Sequence, residues 1–179
     1  MYLGIDVGGT KTLVATLTNE GVITESKKFP TPKKYANFIL ELRHTLATFK
    51  HKEFKAGGIA VPGRINREHG IGIRFGNLPW KDVHVQADLE RIIHAPTVFE
   101  NDANAGAVSE AMLLKDKYEK VLYIAIGTGI GTGVTIGTKL AEGFEDMEGG
   151  SLLYEHKNKL VKWESFASGR AIYERFGKR

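Results

Sequence analysis

The chain writes one design twice: an alternating apolar strand, a turn of glycine and threonine, and a second strand. The first copy is Leu3-Gly4-Ile5-Asp6-Val7-Gly8-Gly9-Thr10-Lys11-Thr12, where Leu3, Ile5 and Val7 alternate before apolar residues resume at Leu13, Val14 and Leu17. A period of two interrupted by glycine specifies a β-hairpin. Gly8 and Gly9 permit positive φ and leave room for another group to approach the backbone. Successive N–H groups at such a turn form an anion-binding concavity, to which Thr10 adds a hydroxyl and Lys11 a cation. Asp6 ends the inbound strand with a carboxylate, and a carboxylate facing a phosphate cradle makes sense with a divalent cation between them. On this stretch alone two readings stay open: a nucleotide–metal site, or an ordinary hairpin with a solvated aspartate. The second copy covers residues 121–134, with Gly127-Thr128-Gly129-Ile130-Gly131 at its turn. Two such hairpins facing each other would grip a polyphosphate from both sides, and the repetition tips the balance toward phosphate binding.

Composition narrows the partners. The chain of 179 residues is long enough for one good core or for two lobes sharing a cleft. With 42% apolar and 26% charged residues it reads as globular rather than disordered. The net charge of +4 is dispersed among 21 acids, and the densest basic stretch, Lys50-His51-Lys52-Glu53-Phe54-Lys55, is interrupted by Glu53, so no nucleic-acid partner is expected. The absence of cysteine excludes disulfides and thiolate metal ligands and fits a reducing compartment; a cytoplasmic location is expected. No basic region precedes the first apolar run, which Asp6 breaks, so no signal peptide is expected. Residues 121–138 carry no charge and are long enough to raise a membrane span. Their alternation and their glycine and threonine content favour a soluble hairpin, and no membrane partner is expected.

Between the hairpins, Asn19-Glu20-Gly21 makes a turn and residues 22–29 a strand. Thr31-Pro32 then leads into a helix carrying Tyr35, Phe38, Ile39, Leu42, Leu46 and Phe49 at three- and four-residue steps. Gly57-Gly58-Ile59-Ala60-Val61-Pro62-Gly63 reads as a buried strand ending in a turn, and residues 71–75 as another strand. Gly76-Asn77-Leu78-Pro79-Trp80 reads as a loop with an amide beside an aromatic, a pairing that suits a polyol. A Pro turn over a packed Trp explains that loop more simply. A helix over 85–94 turns Leu89, Ile92 and Ile93 inward. Thr97-Val98-Phe99 runs into Glu100-Asn101-Asp102 and a helix over 103–114, whose expected core residues are Val108, Met112 and Leu113. Asn and Asp at such a junction are preferred helix caps, yet open α/β sheets bind ligands at the carboxyl ends of strands. The charged connector 116–120 is the expected boundary between lobes 1–118 and 119–179. Residues 141–150 read as a loop, 157–162 as polar and uninformative, and 164–176 as one last helix with Phe166, Ala171, Ile172 and Phe176 apolar.

Five segments stand in order: Asp6-Val7-Gly8-Gly9-Thr10-Lys11-Thr12, Gly58-Ile59-Ala60-Val61-Pro62-Gly63, Asn77-Leu78-Pro79-Trp80, Glu100-Asn101-Asp102-Ala103-Asn104 and Gly127-Thr128-Gly129-Ile130-Gly131. Together they resemble the ROK family (repressors, open reading frames, sugar kinases), above all its bacterial-type glucokinases, over nearly the whole chain. The resemblance implies an α/β, ribonuclease H-like (actin-like ATPase) fold, with a complete N-terminal lobe and the beginning of a second. It implies ATP and Mg2+ as cofactors and a hexose as substrate. By the same resemblance Asp102 is the general base toward a sugar hydroxyl, usually on C6, and Asp6 helps hold Mg2+ through water. Gly8, Gly9, Thr10, Lys11, Gly127, Thr128 and Gly129 match phosphate contacts, and Gly63, Asn77, Asn101, Asp102, Glu148 and Glu164 match sugar contacts. Phosphoryl transfer agrees with this division, since it needs positioning, charge neutralisation and one base.

Two departures from the family pattern matter. The family's zinc motif is a cysteine-rich cluster after a Glu-x-Gly-His segment; here that segment is Glu148-Gly149-Gly150-Ser151, with Ser151 in place of the His, so no zinc site is expected. The chain also stops at Arg179, where family members continue through further helices that contact adenosine. Exposed apolar surface, self-association or a homodimer, and a loosely ordered region after about residue 140 are therefore expected. Two other functions fit less well. A non-catalytic sugar sensor shares the domain, but family repressors carry a DNA-reading module ahead of it, and Met1 lies only five residues before Asp6. An actin- or Hsp70-like ATPase indifferent to sugars leaves the Asn77 loop unexplained. Polyphosphate as donor and the identity of the hexose stay open.

Overall fold

The opening alternation becomes strand β1 (Tyr2–Val7), which buries Leu3, Ile5 and Val7 on one face. In this computed structural model, which describes residues 1–177, β1 pairs antiparallel with β2 (Lys11–Leu17), and β2 with β3 (Ile23–Pro30). The last two residues of the expected segment 119–179, Lys178 and Arg179, lie outside the described residues. Helix α1 (Tyr35–Ala47) buries Phe38, Leu42 and Leu46, as its apolar stripe requires, and returns the chain to β4 (Ala56–Val61), parallel to β1. A side sheet follows, in the order β5 (Arg64–Asn66), β6 (Ile71–Phe75), β7 (Leu78–Val83). Helix α2 (Val85–Ile93) then leads to β8 (Thr97–Asn101), parallel to β4. The main sheet is ordered β3-β2-β1-β4-β8.

The loop expected over 76–80 shrinks to a turn at Gly76-Asn77, because Leu78 already pairs with Phe75. Trp80 is core: it is buried, its Nε1–H donates to the Lys33 carbonyl at 3.1 Å, and it packs against Tyr35, Phe38 and Phe75.

The chain divides into two compact units, Met1–Asp102 and Ala103–Arg179. The division falls ahead of the body of helix α3 (Asp102–Leu114), which belongs to the second compact unit although it precedes the charged connector 116–120 in the chain. The reason is close packing within the second unit, where a Cβ added to Gly133 would come within 2.6 Å of the Ala107 Cβ. Helix α3 accordingly buries Ala103, Asn104, Ala107 and Ala111, while Met112 and Leu113, expected in the core, are exposed. Small residues on both partners bring the helix backbone close to the sheet, and the long side chains fall on the other side.

The second unit's sheet runs β11 (Lys139–Leu140), β10 (Ile130–Ile136), β9 (Lys120–Ile126), all antiparallel. A short 3-10 turn at Gly149–Ser151 precedes a hairpin of β12 (Leu153–His156) and β13 (Lys159–Lys162). Its two turn residues, Lys157 and Asn158, both have positive φ, as a tight hairpin with the right twist needs. The single helix expected over 164–176 is two, α4 (Glu164–Ala167) and α5 (Gly169–Phe176). Ser168 between them is extended, and its hydroxyl caps α5 by accepting the Ala171 N–H at 3.3 Å. Among the described residues no helix is long and apolar enough to cross a membrane.

Candidate active site

Three strands of the first unit, β1, β4 and β8, run parallel, and their register aligns Asp6 with Ala60 and Ala60 with Glu100. Their carboxyl ends therefore open at one edge of the sheet, where such folds bind ligands. Neighbouring strands lie about 4.8 Å apart, so the rows of Asp6 and Glu100 are separated by roughly 10 Å, within reach of one small ligand. Asp6, Gly63, Asn101 and Asp102 all stand at this edge. Asp102 is exposed and is the first residue of α3, where a carboxylate complements the helix dipole. Asn101 Nδ2–H donates to the Gly63 carbonyl at 2.9 Å. Gly63 has φ of +97°, and a Cβ there would meet the Arg74 carbonyl oxygen at 2.2 Å, so no other residue fits.

The tip of the first hairpin is shaped by contacts, not by left-handed backbone: neither Gly8 nor Gly9 uses the positive φ open to a glycine. Glycine is required at 8 because the Gly8 N–H donates to the Lys11 carbonyl at 2.9 Å and a Cβ would sit 2.8 Å from that same oxygen. Thr31 pins the tip: its hydroxyl donates to the Gly8 carbonyl at 2.7 Å and its N–H donates to the Thr10 carbonyl at 2.9 Å. Thr10 and Lys11 are exposed there. A Cβ on Gly9 would lie 3.5 Å from the Asn77 Cβ, so an expected phosphate contact and an expected sugar contact are neighbours.

The Asp6 side chain reaches solvent, yet surrounding protein desolvates its carboxyl and pushes its pKa up, with Lys28 pulling the other way. A desolvated carboxylate gains from a nearby cation. Mg2+ keeps several waters and takes one or two carboxylates plus phosphate oxygens, which suits Asp6. Among the described residues no group of three or more His, Cys, Asp or Glu is placed to enclose a metal.

In the second unit the Gly127 N–H donates to the Gly129 carbonyl at 3.0 Å, and the Gly169 N–H donates to the Gly127 carbonyl at 2.7 Å. The hairpin tip that contains Thr128 is thus docked on the start of α5. A Cβ on Gly129 would lie 2.7 Å from a Glu164 carboxylate oxygen, so Glu164 stands against this tip. Glu148 is exposed, and next to it the Gly149 N–H donates to the Thr132 hydroxyl at 3.1 Å. The Trp163 N–H donates to the Leu152 carbonyl at 2.8 Å and closes the base of the β12–β13 hairpin. That clasp ties the segment ending in Ser151 to the one starting at Glu164. Ring contacts of Tyr154 with Trp163, and of His156 with Phe166 at 4.5 Å, brace the hairpin.

Two groups at the first edge were not assigned a role from sequence. Thr31 carries no signal beyond preceding a Pro. Glu100, quoted only as part of a motif, accepts the Asn101 N–H at 2.7 Å and pairs with Arg67.

The ROK family model matches residues 2–179. A glucokinase of Streptomyces coelicolor is 32% identical over 183 residues, covering 96% of this chain and 57% of its own length. An N-acetyl-D-glucosamine kinase of Haemophilus influenzae is 34% identical over 174 residues, covering 92% of this chain and 57% of its own. The crystal structure of a ROK family glucokinase from Streptomyces griseus, in complex with glucose and AMPPNP, superposes with a TM-score of 0.82 at 28% identity, over 97% of this chain and 59% of that one. The fold is thus the expected α/β, actin-like ATPase fold of these kinases. The chain spans about 57% of the length of these curated relatives. Matched from its second residue to its last, the chain belongs to the ROK family.

Proposed function

We propose that this chain carries the sugar site and the catalytic base of an ATP-dependent sugar kinase acting on a hexose, with the C6 hydroxyl of glucose as first candidate. The observation that carries this reading is the shared edge of β1, β4 and β8, which gathers Asp6, Gly63, Asn101 and Asp102, with Asn77 against the neighbouring hairpin tip. Asp102 accepts the proton of the attacking hydroxyl. Asn77, Asn101 and the Gly63 turn orient the sugar, joined by Glu148 and Glu164. The Gly8-Gly9-Thr10-Lys11 and Gly127-Thr128-Gly129 tips hold phosphates. Mg2+, when bound, would neutralise phosphate charge, and Asp6 is the residue that would help hold it, through water. No zinc takes part. The base and first hairpin belong to a lobe of residues 1–118 and the second hairpin to the lobe begun by 119–179. The S. griseus neighbour, with its glucose and AMPPNP, supports both ligands, and the H. influenzae relative supports an amino sugar as alternative. The location is cytoplasmic, the partners are small molecules rather than nucleic acid or membrane, and the chain self-associates as a homodimer.

A sugar sensor without transfer is the second reading, favoured by Ser151 standing where the family's kinases carry a His. The experiment is a calorimetric titration with glucose, N-acetylglucosamine, N-acetylmannosamine and fructose, with Asp102→Ala beside it, followed by a coupled turnover assay. One hexose binds and binds more weakly to the variant. Binding of none would overturn the proposal; tight binding without turnover would favour the sensor.

A further inference from the structure

Arg67 lies in the turn that follows β5, and Glu100 is the penultimate residue of β8. The guanidinium grips the carboxylate as a fork: Nε–H donates to Oε2 at 2.9 Å and Nη2–H to Oε1 at 2.6 Å. The side chains are only 29% and 17% exposed. Isolated surface ion pairs contribute little, but this carboxylate also accepts from a second residue. Its Oε1 also accepts the backbone N–H of Asn101 at 2.7 Å. Asn101 is where the β4–β8 pairing ends, so beyond it no strand register holds the chain. The Asn101 side chain is tied in turn to the Gly63 carbonyl at 2.9 Å. A planar fork fixes the orientation of the carboxylate, and the carboxylate fixes the backbone from which Asn101 and Asp102 project. A lysine, as a point charge, would neutralise Glu100 without setting its plane.

We propose that Arg67 and Glu100 are a positioning pair that sets the sugar-facing Asn101 and the base Asp102; this rests on the sugar-kinase reading above. The test uses the full chain as Arg67→Met, Arg67→Lys and Glu100→Gln, with Asp102→Ala as control. It reads amide hydrogen exchange at Asn101, hexose affinity, and kcat against KM. In Arg67→Met and Glu100→Gln, Asn101 exchange rises about tenfold while the β1–β4 ladder keeps its rates, hexose binding weakens several-fold, and kcat falls about 10²-fold, as misplacement on the ångström scale does. Arg67→Lys restores thermal stability but not kcat. A merely structural pair would lower the melting temperature, leave kcat of the folded protein unchanged and be rescued fully by Lys, which overturns the proposal. A loss in Asp102→Ala without a loss in the other variants overturns the pair alone. No loss in Asp102→Ala overturns the kinase reading, and the pair is then judged on Asn101, where wild-type exchange in both variants overturns it.

Discussion

Strands β1 and β9 are written alike and end in different surroundings. Leu3, Ile5 and Val7 of β1 are 2, 4 and 0% exposed, whereas Leu122, Ile124 and Ile126, the alternating residues of β9, are 59, 42 and 60% exposed. The cause is position. β1 is the centre of a five-stranded sheet, and its apolar face packs with Phe38 and Leu42 of α1 and Leu89 and Ile93 of α2 in one core. β9 is the edge of a three-stranded sheet, covered on the face of Tyr123, which crowds Gly106 of α3, and open on the other. Alternation makes a strand; its neighbours decide whether the apolar side is core or surface. The turns of the two hairpins differ in the same way. Gly8 has no room for a Cβ, while a Cβ on Gly127 would meet nothing within 4 Å.

The proposed base and the well-packed core both lie in the first unit, one exposed and the other buried, so their failures can be told apart. Asp102 is exposed, so Asp102→Ala lowers sugar phosphorylation by ~10²–10⁴ while the lost charge at the start of α3 costs at most about 1 kcal/mol of stability. Turnover equal to wild type would remove the base from this edge. Next in size is a matched pair of truncations. Ile5→Ala costs about 2–5 kcal/mol in denaturant unfolding, and Ile126→Ala under about 1 kcal/mol. Equal losses would show that the outer face of β9 is as well packed in solution as the core of β1. A third pair compares the turns: Gly8→Ala overpacks its tip and destabilises by about 1–3 kcal/mol, whereas Gly127→Ala keeps wild-type stability and weakens ATP binding. Unchanged nucleotide affinity in Gly127→Ala would end the phosphate role of the second tip.

The smallest effect concerns pH. The Asp6 pKa is raised in the folded state by desolvation, so this group stabilises the fold below its unfolded pKa, and that contribution is lost as pH rises through the folded value. Asp6→Asn, measured without divalent cation, therefore flattens the fall of stability with rising pH in the acid range. A slope identical to wild type would show that the carboxyl is fully solvated.

Local features were legible from the chain alone. The two hairpins, the stripe of α1 and the Asn101-Asp102 junction each rest on neighbours a few residues apart, where periodicity and turn chemistry act. The β12–β13 hairpin escaped notice because its turn is Lys157-Asn158, without the glycine that usually marks one. Hydrophobicity alone points Met112 and Leu113 to the core, whereas the glycines of β10 select the alanine face of α3. The break at Ser168 follows from a serine cap that only the extended backbone there reveals.

The sequence by itself determined the two glycine-tipped hairpins, the order of the polar segments and the family to which they belong, because each is set by short-range pattern. Only the tertiary structure decided which residues meet. Thr31 on the Gly8 carbonyl, Asn77 beside Gly9, Glu164 against Gly129 and Arg67 forked on Glu100 join residues 23 to 68 positions apart in the first unit and 35 in the second, by the numbering. Such contacts are fixed by parallel register and by the packing of separate elements, and no local pattern encodes them.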